Sequence, residues 1–394
     1  MKVNVLNRVL ICTPVLMLGG GTEVQMLSLL RVLSGARYYV AICCYYEFDN
    51  AVVDEFRKAG AEVVLLGLDR SDGRFGLWKI IELIKNLDKI FKEYRPDIVH
   101  FQYVAPGLIP ILTAKIAGIK RVFATVHQPG RIYQWKHKMF IRIAAHLCDA
   151  FFCNSRSVEE SWFGDSQCFD PKKIDSKRKH FTIYNGVDIE RIERVGKQVD
   201  KEKIKDLLGI REEKVIGVVG RLRKEKGQAT LLESMKAVLQ ELPDTGLIVV
   251  GDGPDRRYLE EKAKKLNIDG CVKWLGKKDH DEVLRLYSIM DVVAVPSLFE
   301  GFGLAAAEAM AAGLPVVGSR VDGLSEIIEH EVGGYLVPQG DCHELAKALM
   351  QLLSNPENSR KIGEKGKERV QELFSMEHFV RSVLSAYQYF SARK

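Results

Sequence analysis

Ser297-Leu298-Phe299-Glu300-Gly301-Phe302-Gly303-Leu304, running on through Ala305-Ala306-Ala307-Glu308-Ala309-Met310, is the stretch on which the fold turns. An apolar, β-branched run at 292–295 ends at Pro296 just before it, which is the pattern of a buried strand. The alanines at 305–307, 309, 311 and 312 are strong helix formers, and Gly313 followed by Pro315 stops them. The reading is strand, glycine-rich turn, helix. Such a turn puts bare backbone N–H groups at a helix N-terminus, where anions are attracted. It also puts Glu300 in the turn and Glu308 on the helix. Eight helical residues rise about 12 Å, so the two carboxylates suit two ends of one extended, hydroxyl-rich, phosphate-bearing ligand. The alternative is an ordinary turn of a doubly wound protein, with Glu308 on the surface.

Working outward, strands alternate with helical stretches through the chain. The first series has strands at 9–13, 39–44, 63–66, 97–101, 122–126, 150–153 and 181–184. Helices fall at 22–33, with Thr22 as a possible cap, at 52–59 and at 77–94. After a charged stretch at 197–205, a second series has strands at 215–219, 247–250, 272–275, 292–295, 315–318 and 334–337. Helices there fall at 228–241, 255–265, 281–288 and 305–312, and 342–394 is helical. This predicts two α/β units with parallel sheets and crossover helices, joined near residues 189–205. Ligands of such sheets bind beyond the carboxyl ends of the strands, and two facing units would form a cleft.

The chain has 394 residues, enough for two or three domains, and its 46% hydrophobic and 28% charged content is that of a globular protein. The net charge is +6, but residues 1–180 hold 26 Lys and Arg against 18 Asp and Glu, while the rest is slightly acidic. A basic half points to anionic partners such as nucleotide phosphates or a membrane surface. Nucleic acid is not expected, since there is neither zinc-finger spacing nor an aromatic-interleaved basic repeat. The eight cysteines form no C-x-x-C pair and sit mostly in apolar runs, which fits a reducing cytoplasm. Residues 9–12 read as a first strand and not a signal peptide, because Pro14 interrupts the run. No stretch approaches the roughly 20 apolar residues of a membrane-spanning helix.

Several strand ends carry candidate site residues. Gly19-Gly20-Gly21-Thr22-Glu23 follows the first strand; its glycines would let backbone approach a phosphate or sugar, although it is neither G-x-G-x-x-G nor a P-loop. His127 ends one strand, freed from the next element by Gln128-Pro129-Gly130, and His100 ends the strand before it. Gly220-Arg221-Leu222-Arg223-Lys224-Glu225-Lys226-Gly227 follows another strand. A planar guanidinium at 221 and a point charge at 226 suit a diphosphate; the alternative is a solvated charged loop. Asp279-His280-Asp281 looks like a metal-holding D-x-D, but it directly precedes a helix that Asp281 is expected to cap.

Taken together, in order and over nearly the whole chain, these pieces resemble the family-4 retaining glycosyltransferases, which have the two-domain GT-B fold. The matching residues include Gly20-Gly21-Thr22-Glu23, His127, Asn185-Gly186-Val187-Asp188, Gly220-Arg221-Leu222, Lys226-Gly227, Val250-Gly251-Asp252-Gly253-Pro254, Glu300-Gly301-Phe302-Gly303-Leu304 with Glu308, and Ala312-Gly313-Leu314-Pro315. The resemblance implies an acceptor-side domain at 1–190, a nucleotide-sugar domain at 191–374, and a C-terminal helix at 375–394 that crosses back to the first. Arg221 and Lys226 would hold the donor diphosphate, aided by backbone at Gly303 and Leu304. Glu300, within Glu300-Gly301-Phe302, would hold sugar hydroxyls, and Glu308 the ribose. Gly20 and Gly21 would approach the donor phosphate or acceptor, and His127 the sugar's reacting face. The base would lie near Trp274 to Lys278, around Gly276. No cofactor beyond a UDP- or GDP-sugar co-substrate is implied, and no metal. The acceptor would be a glycan, a lipid-linked molecule or a small molecule, in polysaccharide or glycoconjugate synthesis. Many relatives have Gly-Ala-Glu where this chain has Gly-Thr-Glu.

Two other readings share the architecture: a nucleotide-sugar epimerase, and a non-catalytic nucleotide-sugar-binding protein. The four residues Arg221, Lys226, Glu300 and Glu308 count against both. Residues 131–142 mix cations with large apolar groups, and Ile132, Trp135, Met139 and Ile143 are spaced to share one helix face. With the basic run at 172–179, this half is expected to be cytoplasmic, and one reading sets it peripherally on an anionic membrane face; the alternative is a helix packed on its own domain.

Overall fold

The computed structural model describes residues 7–17, 21–69, 77–102, 108–175 and 177–392. The chain divides into two compact units. Of the described residues, one comprises 22–184 and 379–392 with the N-terminal strand; the other comprises 185–378 with Gly21. Each is built on a single parallel sheet, as the alternating pattern predicts.

In the first unit the strands are β1 (Arg8–Thr13), β2 (Tyr39–Cys44), β3 (Glu62–Leu65), β4 (Ile98–Gln102), β5 (Arg121–Val126), β6 (Ala150–Cys153) and β7 (His180–Thr182). Their order in the sheet is β3-β2-β1-β4-β5-β6-β7, with every pairing parallel. Strands this apolar are covered on both faces. Leu10, Cys12, Val99, Val122 and Phe151 lie on one face against helices Leu77–Tyr94, Leu108–Ile116 and Trp135–Leu147. On the other face Phe123, Phe152 and Phe181 receive the C-terminal helix Met376–Ala392. Phe390 of that helix packs 5.9–6.4 Å, between ring centroids, from these three rings, and its carbonyl accepts from Arg121 Nε at 2.8 Å.

The second unit holds β8 (Lys214–Val219), β9 (Thr245–Val250), β10 (Val272–Gly276), β11 (Val292–Val295), β12 (Val316–Ser319) and β13 (Gly334–Val337), in the order β10-β9-β8-β11-β12-β13 and all parallel. Its helices begin where short polar side chains can satisfy orphan N–H groups. Asp188, Asp200 and Asp341 each accept from their helix's first turn, and Asn355 precedes a helix whose first residue is Pro356.

Some expectations change. The charged stretch near 197–205 is not a linker: it belongs to helices Ile189–Lys197 and Lys201–Leu208. Helices Leu108–Ile116 and Arg156–Phe163 were not foreseen. His100 lies inside β4 and is buried, because that strand runs on to Gln102. The first helix begins at Gly21, which puts Thr22 in the first turn and not at the cap. Ile132 belongs to a separate 3-10 turn, Gly130–Ile132, so only Trp135, Met139 and Ile143 share the helix face. Among the described residues no helix is long and apolar enough to cross a membrane.

Candidate active site

In each sheet the order of strand addition reverses at one place: between β1 and β4 in the first unit, and between β8 and β11 in the second. Such a switch point leaves a crevice beyond the strand ends where ligands of open α/β sheets bind. In the second unit the loop after β8 carries Arg221 and Lys226, and the turn after β11 carries Glu300. The strand order therefore delivers both sequence-predicted groups to the crevice.

There they meet directly. Lys226 Nζ donates to Glu300 Oε2 at 2.7 Å, and Ser297 Oγ donates to the same oxygen at 3.0 Å. The backbone makes this contact. Lys226 ends the short turn Lys224–Lys226, followed by Gly227 at φ +68°, and Leu298 N donates to Glu225 O at 2.8 Å. A Cβ at Gly227 would sit 1.8 Å from Pro296 O, so only glycine lets the two loops approach. Arg221 is half-buried, and its carbonyl accepts from Gln228 Nε2 at 2.9 Å. Lys226 and Glu300 keep 31% and 15% of their side-chain surface open. Their pair is thus partly screened and worth on the order of 1 kcal/mol, weak enough for a ligand to rearrange.

Beyond Glu300, Gly301 and Phe302 lead to Gly303, which stands at φ +100° as the N-cap of helix Leu304–Ala311. Gly323 N donates to Glu300 O at 3.2 Å, and the Phe302 ring is buried 5.6 Å from Phe374. Glu308, one turn before the helix end, is 6% exposed rather than on the surface. Its Oε1 lies 2.8 Å from His280 Nε2, and Tyr287 Oη lies 3.4 Å from its Oε2. Burial works against charge on His280, but the Glu308 carboxylate outweighs it and raises the imidazole pKa above its ordinary value. Gly276 closes β10 at φ +68°, and its carbonyl accepts from Gly251 N at 2.8 Å.

The Asp-His-Asp sequence resolves differently from the expectation. The cap is Asp279, in a reciprocal capping box with Glu282, while Asp281 is bound at 2.9 Å by Arg191. Sequence reasoning missed His280 and Ser297 as partners of the two glutamates. Ser297 stood in the quoted stretch, while His280 was hidden by the resemblance of its neighbours to a metal motif.

In the first unit, His127 directly follows β5, and its Nε2 lies 2.8 Å from Gln102 Oε1 at the end of β4. Gly21 opens the first helix, and Gly20 lies outside the described residues.

Two family models cover the chain in succession. Residues 19–191 match Glycosyltransferase Family 4, and residues 200–369 match Glycosyl transferases group 1. Each half of the chain thus belongs to a glycosyltransferase family. Among curated relatives, N-acetyl-alpha-D-glucosaminyl L-malate synthase of Bacillus anthracis is 36% identical over 207 residues, covering 52% of each chain. The Escherichia coli UDP-Gal:alpha-D-GlcNAc-diphosphoundecaprenol alpha-1,3-galactosyltransferase is 27% identical over 70% of this chain and 71% of its own. The chain spans about half the length of the first curated relatives it matches. The Anabaena HepE structure in complex with UDP and glucose has a TM-score of 0.76 at 20% identity, covering 96% of this chain and 99% of that one. That likeness establishes the fold: two Rossmann-like α/β domains of the GT-B type.

Proposed function

We propose that this chain transfers a hexose or N-acetylhexosamine from a nucleoside-diphosphate sugar to a glycan, lipid-linked or small-molecule acceptor, with retention at the anomeric carbon. The observation that carries the reading is the Lys226–Glu300 pair, an ammonium and a carboxylate 2.7 Å apart at a strand-order reversal. A nucleotide sugar offers each a better partner. The diphosphate takes the ammonium and the Arg221 guanidinium, and sugar hydroxyls take the carboxylate. Glu308, held by His280, is suited to the ribose, and the strand end at Gly276 to the base. The donor thus belongs to the second unit (residues 185–378) and the acceptor to the first (residues 22–184 with the C-terminal helix).

Charge on the departing diphosphate is stabilised by Arg221, Lys226 and the N-terminal N–H groups of helix Leu304–Ala311. The C1–O bond to phosphate breaks, and the acceptor oxygen bonds to C1 on the same face. A phosphate oxygen takes the acceptor's proton. The two cations fill the role a divalent ion would otherwise have, so turnover is expected to survive chelation by EDTA. HepE with UDP and glucose, and the two curated relatives with their N-acetylglucosaminyl and UDP-galactosyl chemistry, support a nucleotide-sugar donor.

The exposed face of helix Trp135–Leu147 supports a peripheral membrane site for the acceptor. Trp135 is 68% exposed, and Met139 and Ile143 follow it along a groove flanked by Lys138, Arg142 and His146. Apolar groups ringed by cations suit an anionic lipid surface.

The test is a thermal-shift screen of UDP- and GDP-sugars, since a bound donor raises stability by mass action. One family of nucleotide sugars is expected to raise the melting temperature. A flat response to all of them, with the fold intact, would remove the proposal.

A further inference from the structure

Lys226 and Glu300 each suit a different part of a donor, yet in this structure each holds the other. Lys226 Nζ and Ser297 Oγ both donate to one oxygen, Glu300 Oε2, at 2.7 and 3.0 Å. The backbone beneath them is pinned at two points. Leu298 N donates to Glu225 O at 2.8 Å, and Gly227 passes so close to Pro296 O that a side chain there would collide with it. Lys226 N donates to Arg223 O at 2.8 Å, which closes the turn that carries the lysine. The pair therefore opens and re-forms by rotation of the long lysine side chain, without movement of either loop. Every residue of this contact lies in the second unit.

What reaches the pair decides the cost of opening it. A nucleoside diphosphate without a sugar brings an anion to the ammonium and nothing to the carboxylate. If Lys226 then leaves Glu300, a carboxylate with only 15% of its side-chain surface open keeps one neutral donor, Ser297. If the ammonium serves both partners at once, two anions repel across it. A nucleoside-diphosphate sugar brings hydroxyl donors along with its phosphates. The hydroxyls take over the carboxylate as the phosphates take over the ammonium, and neither charge is stranded.

We propose that the Lys226–Glu300 pair makes the site discriminate a nucleoside-diphosphate sugar from the nucleoside diphosphate left after transfer: once the sugar hydroxyls are gone, the carboxylate recaptures the lysine and weakens the hold on the spent nucleotide. The inference rests on the reading of these two side chains as diphosphate and hydroxyl contacts, and it adds how the same pair lets the product go. The sugar and diphosphate contacts are coupled through one ion pair, so each strengthens the other by the same factor.

Isothermal titration calorimetry of the full chain tests this, with UDP, GDP, UDP-glucose, UDP-galactose, UDP-N-acetylglucosamine and GDP-mannose as probes and circular dichroism as the check on each variant's fold. Glu300→Gln keeps the size of the side chain and its capacity to bond hydroxyls, but it releases the ammonium. It is expected to tighten the sugar-free nucleotide roughly fivefold, the worth of a partly screened ion pair, and not to tighten the sugar nucleotide. Ser297→Ala keeps every charge and removes the neutral donor that stays with Glu300. It is expected to weaken the sugar-free nucleotide roughly threefold and to change the sugar nucleotide less. Glu225→Gln removes a negative charge from the same loop, one that faces Arg223 and not Lys226, and controls for charge alone. If Glu300→Gln fails to tighten UDP or GDP, or tightens it no more than Glu225→Gln does, the inference is overturned and the donor site stands. Tighter binding of the sugar-free nucleotide to Ser297→Ala overturns it equally. No binding of any probe to the folded wild type overturns the donor site itself, and the inference with it.

Discussion

Lys226 and Glu300 are 74 positions apart in sequence and one hydrogen bond apart in space. Each is expected to act on a separate part of the donor. Lys226→Ala and Glu300→Ala should each lower kcat/KM by roughly 100-fold or more, the usual cost of removing one electrostatic contact to a developing charge, with the circular dichroism spectrum unchanged. Full turnover in either would remove the site. The buried His100 carries a second prediction at this scale. Its folded pKa of about 3 lies below the ordinary 6.5, so the unfolded chain takes up a proton as pH falls and the folded chain does not. The first unit should therefore lose stability as pH drops from about 6.5 toward 3, by about 2 kcal/mol at pH 5 from this ring alone. Hydrogen exchange in β4 and β5 at pH 7 and pH 5, compared with His100→Gln, measures it; an equal loss in both proteins would refute it. Arg221, Lys226, Glu300 and Glu308 were legible because glycines, cations and strand ends mark them locally. Gln102 was not. A glutamine at a strand end carries no signal until the fold sets an imidazole 2.8 Å away.

At the level of elements, the glycine-rich turn at 300–303 and the helix after it came directly from residue order, since the apolar run, the glycines and the alanines agree with one another. Helices Ile189–Lys197 and Lys201–Leu208 did not. Their charge density resembles a linker, and the second buries none of its residues, so its apolar positions point to no core. Their aspartate caps were the readable sign. The C-terminal helix is different: its apolar face is clear, but it was the family resemblance, and no pattern of its own residues, that assigned it to the first sheet, where it docks. Phe390 is 2% exposed, among the rings of Phe123, Phe152, Phe169 and Phe181. Phe390→Ala should destabilise the first unit by about 3–5 kcal/mol, as a cavity in a close-packed core does, and urea unfolding followed by its amide protection would show it; a change below 1 kcal/mol would mean that the helix does not dock in solution. The helix Trp135–Leu147 carries the membrane prediction. Flotation with anionic vesicles at low salt should recover the protein, and Trp135→Ser with Met139→Ser should abolish recovery. No flotation of the wild type would leave this face to ordinary solvent exposure.

Across the whole molecule, both units repeat one design, a parallel sheet whose strand order reverses once, and in the second unit the loops beside the reversal hold the cation–carboxylate pair. Transfer with retention predicts a product whose anomeric configuration matches the donor, which proton NMR coupling at C1 of the first-formed product reads directly; inversion would rule out same-face attack. The chain leaves the first unit at residue 184 and re-enters it at 379, after the whole of the second unit has been spelled out. A ribosome makes the chain in that order. The phenylalanine floor under the first sheet is therefore exposed for just over two hundred residues of synthesis before Phe390 emerges to roof it, and the second unit can complete its own core sooner. Vectorial production thus inverts the order in which the two cores close, and the earlier-made one needs the guarding that nascent apolar surface ordinarily requires.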